Sequence, residues 1–227
     1  MRVRSIIILT VMMLSMGFPL AAQSHSDTPS KQGEKEGVQP SPQSIALQFL
    51  DKVEKQLLTA DYTIELLAGT QRQPVGSGKL QMLGRCFRLN ILSTEAAFDG
   101  ETLYMYQKET NELTLSNPTE EELLDVNPML FARALFRNST VRFAANAKNN
   151  TPNGELSLDF LPTNKDAGIQ RFVLKLRKAD LAPLEIQIRE QQQQTIIRFS
   201  HASFSPKASS SALFQLVYPS AWLNDLR

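Results

Sequence analysis

Few side chains in this sequence are of the types that carry catalysis or bind metals. His25 and His201 are the only histidines, and Cys86 is the only cysteine. Two histidines so far apart do not make a multi-histidine metal site, and a single cysteine cannot form an intramolecular disulfide. The sequence contains no Gly-x-Ser-x-Gly nucleophile elbow, no phosphate-binding glycine loop and no His-Glu-x-x-His motif. It therefore predicts a protein that is not an enzyme and uses no cofactor or metal.

Three consecutive glutamates, Glu120 to Glu122, are the best remaining candidates for acid–base chemistry. They follow Asn117, which is a favourable N-cap, and Pro118, which suits the first position of a helix. Carboxylates in the first turn of a helix interact favourably with the helix dipole. We therefore interpret the glutamates as the solvated start of a helix, with Glu120 in the position of a capping box.

The start of the chain has the pattern of a secretory signal peptide. Arg2 and Arg4 precede an uncharged apolar run over residues 6–14, and small residues end at Ala22. A transmembrane anchor is the alternative, but the run is shorter than the roughly 20 apolar residues that a membrane span needs. We predict a signal peptide over residues 1–22, its cleavage after Ala22 and a periplasmic protein.

Composition divides the remaining chain in two. Residues 23–40 consist mostly of Ser, Lys, Glu, Gly, Gln and Pro, and such a segment cannot bury enough apolar surface to fold, so we predict a disordered tail. Residues 41–227 are long enough for one domain with a substantial core. The net charge of +1 gives no basic excess that would indicate nucleic-acid binding.

Two helical regions are predicted. Ile45, Phe49 and Val53 recur every fourth residue, which predicts an amphipathic helix over residues 42–58. A second region, residues 118–136, contains a repeated start signal at Asn127-Pro128, after which the segment to residue 136 is almost wholly apolar.

Most of the remaining chain alternates between apolar and polar residues with a period of two, which predicts antiparallel strands with one apolar face. Leu103 and Met105 are predicted on one face, and Tyr104 and Tyr106 on the other. Asp99-Gly100 predicts a tight hairpin. Turns are also expected at 69–74 and 108–111, and the last strand at 214–218.

The predicted fold is mainly β (α+β): an open antiparallel half-barrel of roughly ten to eleven strands with a helical lid, because so large a sheet curls under its own twist. The two helical regions are the only elements available to cover its apolar face. Because the helices are few and short, an incompletely filled interior and a fully packed core fit the pattern equally well.

The residues around the Asp99-Gly100 hairpin resemble the LolA type of periplasmic outer-membrane lipoprotein carrier. The matching residues are Asp99-Gly100-Glu101-Thr102-Leu103-Tyr104-Met105-Tyr106, then Asn117-Pro118, then Asn127-Pro128-Met129-Leu130-Phe131. No one of these motifs is strongly specific, but their order and spacing match the family over nearly the whole chain after residue 40. The resemblance implies an open antiparallel barrel with a helical lid.

The resemblance also implies a function and partners. Members of the family carry acylated lipoproteins across the periplasm, so an inner-membrane release complex as donor, an outer-membrane acceptor and a monomeric state are expected. On this interpretation the protein shields acyl chains in an apolar cavity. The residues expected to form the cavity and lid are Leu80, Met82, Phe87, Leu89, Ile91, Leu103, Met105, Leu113, Leu115, Met129, Leu130, Phe131, Leu135, Phe172 and Leu174.

An arginine that latches the lid in many members has no counterpart in this sequence. The corresponding positions hold Leu83 and Gly84, and Arg85 and Arg88 are the candidates for the latch. The main alternative function is a lipid- or lipoprotein-binding sensor of the cell envelope. Related half-barrel sensors carry a second domain, for which this chain has no room. An enzyme that acts on lipid is a third possibility, but no nucleophile–base pair supports it.

Overall fold

The computed structural model of the protein describes residues 40–145, 154–163, 168–206 and 211–227. The predicted signal peptide and all but the last residue of the predicted tail lie outside the described residues. The described chain forms one twelve-stranded sheet with three α-helices and a short 3-10 helix. In chain order the elements are α1 (Pro42–Lys55), β1 (Leu57–Ala68), β2 (Gln71–Leu83), β3 (Cys86–Ile91), β4 (Thr94–Phe98), β5 (Leu103–Gln107), β6 (Glu112–Ser116), α2 (Glu120–Val126), α3 (Pro128–Arg137), β7 (Ser139–Phe143), β8 (Glu155–Pro162), β9 (Arg171–Arg177), β10 (Pro183–Arg189), β11 (Gln194–Ser205), the 3-10 helix (Ser211–Phe214) and β12 (Trp222–Asp225).

The order of the strands explains why helices cover one face of the sheet. Strands β1 to β6 and β7 to β11 are each joined by consecutive hairpins, and β11 returns to pair with β1. This places β6 next to one edge of the sheet and β7 at the opposite edge. The segment between them, which contains α2 and α3, must therefore cross the whole sheet. The predicted open half-barrel with a helical lid is confirmed, with twelve strands instead of ten or eleven.

Helix α1 begins as predicted and ends earlier. The Ser41 side chain accepts a hydrogen bond from the Ser44 amide at 3.1 Å, and Pro42 occupies the first turn. The helix ends at Lys55, not at residue 58, because Leu57 and Leu58 pair with β11 and β2 as the start of β1.

The second helical region is two helices with Asn127 between them. The N-cap of α2 is Thr119, not Asn117: its hydroxyl accepts from the Glu122 amide at 3.3 Å, and the Glu122 carboxylate accepts from the Thr119 amide. Asn117 instead accepts a hydrogen bond from the Thr102 hydroxyl. The capping box is therefore present, but two residues later than expected.

Two predicted β-sheet boundaries were wrong. The expected turn at 69–74 is only the two residues 69 and 70, with Gly69 at φ +59°, and residues 71–74 belong to β2. In the expected last strand at 214–218, Phe214 ends the 3-10 helix and residues 215–218 have no regular secondary structure. The last strand is β12, which pairs with β6 in parallel. A parallel partner distant in sequence leaves no hairpin signal.

The hairpin at Asp99-Gly100 is present, but its loop is longer than the predicted tight turn. Phe98 and Leu103 are the last paired residues, so the loop spans 99–102. The Asp99 carboxylate Oδ1 accepts from the amides of Glu101 and Thr102 at 3.1 and 2.9 Å. This side-chain turn, with Gly100 at φ +111°, replaces the backbone turn.

Gly78 allows β2 and β3 to approach closely. A Cβ atom at this position would lie 1.8 Å from the Asn90 carbonyl oxygen. The Tyr62 hydroxyl donates to the same carbonyl at 2.9 Å, so the approach also satisfies a buried phenol. The register between β1 and β2 shifts between Ile64 and Glu65, which pair with Gly76 and Pro74, so one residue of β2 bulges there.

Candidate functional site

The helix-covered face of the sheet, called the inner face here, carries the main core. Helix α1 contributes Ile45, Phe49 and Val53 to it, and α3 contributes Met129. The opposite face, called the outer face, carries a smaller cluster in which Leu216 packs on Ala97. The site is built where α1 and α3 meet the inner face.

Helix α3 is the lid predicted from the sequence. The Asn127 side chain, which is fully buried, accepts from the amides of Met129 and Leu130 at 3.0 and 3.2 Å and thereby caps the helix. Only Met129 of the lid is fully buried. Four other apolar side chains of the helix pack on the core and are partly buried: Leu130, Phe131, Leu135 and Phe136.

Aromatic rings join the lid to the sheet. Phe131 of the lid meets Phe172 edge-on with centroids 6.4 Å apart, and Phe136 meets Phe160 at 6.1 Å. Phe160 and Phe172 lie 5.5 Å apart on neighbouring strands, so the four rings form a continuous row. Such pairs stabilise by about 0.5–1.5 kcal/mol beyond their burial.

Two ion pairs hold the helices in place. Arg85, in the turn between β2 and β3, donates to Glu120 of α2 at 2.5 Å. Arg133 of the lid donates to Glu54 of α1. The Asn127 side-chain amide also donates to the Arg85 carbonyl at 2.7 Å.

The structure separates the two arginines that were expected to latch the lid. Arg85 contacts α2, as a latch would. Arg88 lies on the outer face, where its guanidinium donates to Glu95 at 2.6 Å, because it pairs with Ala97 across β3 and β4. Arg88 as a latch is therefore wrong. Arg133 was not expected, and its one sequence signal is its position as a charge within an otherwise apolar helix.

Most of the expected cavity and lid residues do lie on the helix-covered side of the sheet. They belong to the main core or pack against it: Leu80, Met82, Phe87, Leu89, Ile91, Leu103, Met105, Met129, Leu130, Phe131, Leu135, Phe172 and Leu174. Leu113 and Leu115 do not. They pair with Tyr106 and Tyr104 and pack on the outer face, so their assignment to the cavity was wrong. Directly opposed residues of antiparallel strands share a face, and the 108–111 turn sets this register.

Phe87, Leu158 and Leu176 are fully buried in the main core. A cavity of about 580 Å³ lies beside α1. Its lining is Pro40, Ile45, Gln48, Asp51, Lys52, Lys55, Gln56, Phe143, Leu156, Lys178, Ala179, Asp180 and Leu181. A cavity of this size is in the range that binds small ligands.

The cavity has an apolar wall and a charged rim. Ile45, Phe143 and Leu156 belong to the main core or pack on it. Lys52 spans the rim, since its ammonium donates to the Asp180 carbonyl at 2.7 Å and lies 4.8 Å from the centre of the Phe204 ring. This arrangement can accept an apolar chain with a polar end at the rim. Sequence reasoning missed it because its walls come from α1 and from strands distant along the chain.

A separate polar cluster lies on the outer face around Asp99. The second carboxylate oxygen of Asp99, Oδ2, accepts hydrogen bonds from the Tyr104 hydroxyl at 3.0 Å and from the Gln215 side-chain amide at 3.1 Å. Burial raises the pKa of Asp99, but hydrogen bonds from Thr102, Gln215, Glu101 and Tyr104 outweigh it, so the net pKa lies below its ordinary value. Asp99 thus joins the hairpin loop to the C-terminal segment, and we assign it a structural role.

No cluster of three or more metal-binding side chains occurs in the described ranges. Among the helices of the described chain, none combines the length and the apolarity that a membrane crossing requires.

Comparison with known proteins finds similarity in structure and not in sequence. No protein-family model and no curated protein matches the sequence. An uncharacterized conserved protein from Thermus thermophilus aligns over 79% of this chain and 98% of its own, with a TM-score of 0.51 and 16% identity.

Weaker matches have informative descriptions. An outer membrane lipoprotein-sorting protein domain from Vibrio parahaemolyticus covers 72% of this chain and 92% of its own, with a TM-score of 0.38 and 13% identity. A LolA superfamily protein from Nitrosomonas europaea covers 78% and 98%, with a TM-score of 0.37 and 9% identity. The chain thus shares the fold of the Thermus protein. The structures similar to it include a protein of the LolA superfamily, the family that the sequence resembles.

Proposed function

We propose that the protein is a periplasmic carrier that shields the acyl chains of lipoproteins between its lid and its sheet. The supporting observation is the state of α3, an apolar helix of which Met129 alone is fully buried. Phe131, Leu135 and Phe136 lie on the core without being enclosed by it. A surface of this kind can exchange its contacts with the sheet for contacts with an acyl chain.

Reversible binding favours partial burial of the acyl chains over complete burial. Burial of each methylene contributes roughly 0.8 kcal/mol, so complete burial of several long chains would exceed the affinity from which cargo can be released. A lid that packs on the sheet in the empty state lowers the net free energy gained when an acyl chain binds, because the chain must displace Phe131 and its neighbours from Phe172. Release then needs no energy source.

The cavity beside α1 gives the chain a place to enter. Its apolar wall adjoins the core beneath the lid through Ile45, and its rim carries Lys52 and Lys55. Delivery toward the outer membrane, with a donor and an acceptor, is the part of this proposal that follows from the resemblance to lipoprotein carriers.

The test is native mass spectrometry of the protein purified from the cell envelope. Acylated polypeptides should co-purify with the wild type and be lost from Phe131→Asp. The control is Leu92→Ala, because Leu92 is an exposed residue in the β3–β4 turn. This variant should retain the acylated polypeptides. Recovery of phospholipids alone would contradict lipoprotein carriage and favour a lipid-binding envelope module. Recovery of no acylated species would contradict both.

A further inference from the structure

The outer face of β7 to β10 holds an arginine pair on one buried carboxylate. Asp159 is 0% exposed. Arg171 donates to both of its oxygens, at 2.7 and 3.1 Å, and Arg142 donates to Oδ2 at 3.1 Å. The side chains of the two arginines are 57% and 38% exposed, for Arg142 and Arg171 respectively. The carboxylate therefore fixes both guanidiniums while their outer sides face solvent.

A third arginine adds to this charge. Arg189 of β10 lies directly opposite Arg171 of β9 in the antiparallel register, so their side chains leave the same face. Like charges directly opposed across strands are destabilising. Arg189 is exposed, and its side chain forms no hydrogen bond or ion pair with the described residues. Two cations thus bind the buried Asp159 carboxylate, and a third lies beside them.

Neighbouring cations on the same face form ion pairs with carboxylates. Lys175 pairs with Glu185 at 2.8 Å, and Arg198 pairs with Glu65 at 2.8 Å and with Glu185 at 3.2 Å. Among the described residues, Arg142, Arg171 and Arg189, called the arginine cluster here, have only the Asp159 carboxylate as an ion-pair partner.

We propose that the arginine cluster is a docking surface for the phosphate headgroups of an anionic membrane. Guanidinium groups bind phosphate oxygens with two parallel hydrogen bonds, and exposed guanidiniums fixed from behind lose little freedom when they do so. The cluster lies on the face of the sheet opposite the lid, so membrane contact leaves the acyl site unobstructed. This inference goes beyond the proposed function and does not depend on it.

The test is co-sedimentation of the purified protein with vesicles of phosphatidylglycerol and phosphatidylcholine, compared with vesicles of phosphatidylcholine alone. Wild type should bind the anionic vesicles more tightly, and binding should weaken as salt rises. Each of Arg142→Gln and Arg189→Gln should weaken that binding about fivefold. Arg189→Gln carries the least risk to folding, because no described residue forms a hydrogen bond or an ion pair with the Arg189 side chain.

Arg72→Gln is the matched control, because it removes the same charge from the outer face. Strand β2 lies three places from β10 in the sheet, about 14 Å away, which is beyond the screening length at physiological salt. The control should bind as the wild type does. Equal binding by wild type and Arg189→Gln, an equal loss in Arg72→Gln, or no preference for anionic vesicles would overturn the proposal. Binding of a fluorescent acyl probe should stay unchanged in all three variants, which separates this surface from the acyl site.

Discussion

The guanidinium of Arg85 lies 2.5 Å from the carboxylate of Glu120, and this pair joins the β2–β3 turn to the first turn of α2. The Arg133–Glu54 pair joins the lid to α1 in the same way. Each helix that covers the inner face is thus held by one ion pair at its solvent side. Because all four side chains are well exposed, each pair adds at most about 1 kcal/mol to stability.

Removal of these pairs should loosen the lid more than it destabilises the fold. We expect Arg85→Gln and Arg133→Gln to raise the affinity for a fluorescent acyl probe several-fold, since a weaker lid costs less to displace. Their unfolding free energies should fall by less than about 1 kcal/mol. Probe titration and urea unfolding measure the two effects. An affinity equal to that of wild type in both variants would show that neither pair restrains the lid.

Phe131→Asp should abolish acyl binding and leave the domain folded. Phe131 is only partly buried and its ring meets the sheet at Phe172, so the introduced carboxylate can reach water. Leu174→Asp is the contrast, because Leu174 is buried within β9 and a charge there has no partner. Circular dichroism should show a folded Phe131→Asp and an unfolded Leu174→Asp. If both unfold, α3 is ordinary core and not a lid.

Asn127→Ala should lower the unfolding free energy by roughly 2–3 kcal/mol. The substitution removes the cap of α3 and leaves the Arg85 carbonyl without its donor. Asn138→Ala, at the other end of the helix, removes one exposed hydrogen bond to Ala134 and should cost less than about 1 kcal/mol. Urea unfolding compares the two variants. Equal losses of unfolding free energy would show that the burial of Asn127 does not increase its contribution to stability.

The contribution of Asp99 to stability should depend on pH. Its folded-state pKa lies below its ordinary value, so its contribution is complete above the unfolded pKa, near 4, and is lost as pH falls through the folded pKa. Asp99→Asn should therefore lower the unfolding free energy by about 1–2 kcal/mol at pH 7 and at pH 5.

Below pH 4 the difference between wild type and Asp99→Asn should shrink, because the wild-type carboxyl becomes neutral as well. Urea unfolding at pH 7, 5 and 3 measures this. A difference that stays constant over the whole range would show that hydrogen bonds to the ionised Asp99 do not stabilise the C-terminal segment.

Local features of the sequence determined the elements themselves. The four-residue recurrence of Ile45, Phe49 and Val53 gave α1, and Asn127-Pro128 marked the start of α3. Alternation placed Leu103 and Met105 on one face and their neighbours on the other, as observed. These signals depend only on backbone periodicity and on hydrogen bonds to residues a few positions away, which a sequence displays directly.

Tertiary structure alone decided how the elements meet. Alternation shows that Leu113 and Leu115 share a face, but the register with Tyr106 and Tyr104 decided that it is the outer one. In the same way, register with β4 placed Arg88 away from the lid. The 214–218 segment alternates like a strand, yet it pairs with no strand, and β12 takes the edge position beside β6. The cavity beside α1 and the arginine cluster likewise join residues from distant parts of the chain. Such pairings minimise the free energy of the whole sheet, and no local pattern encodes them.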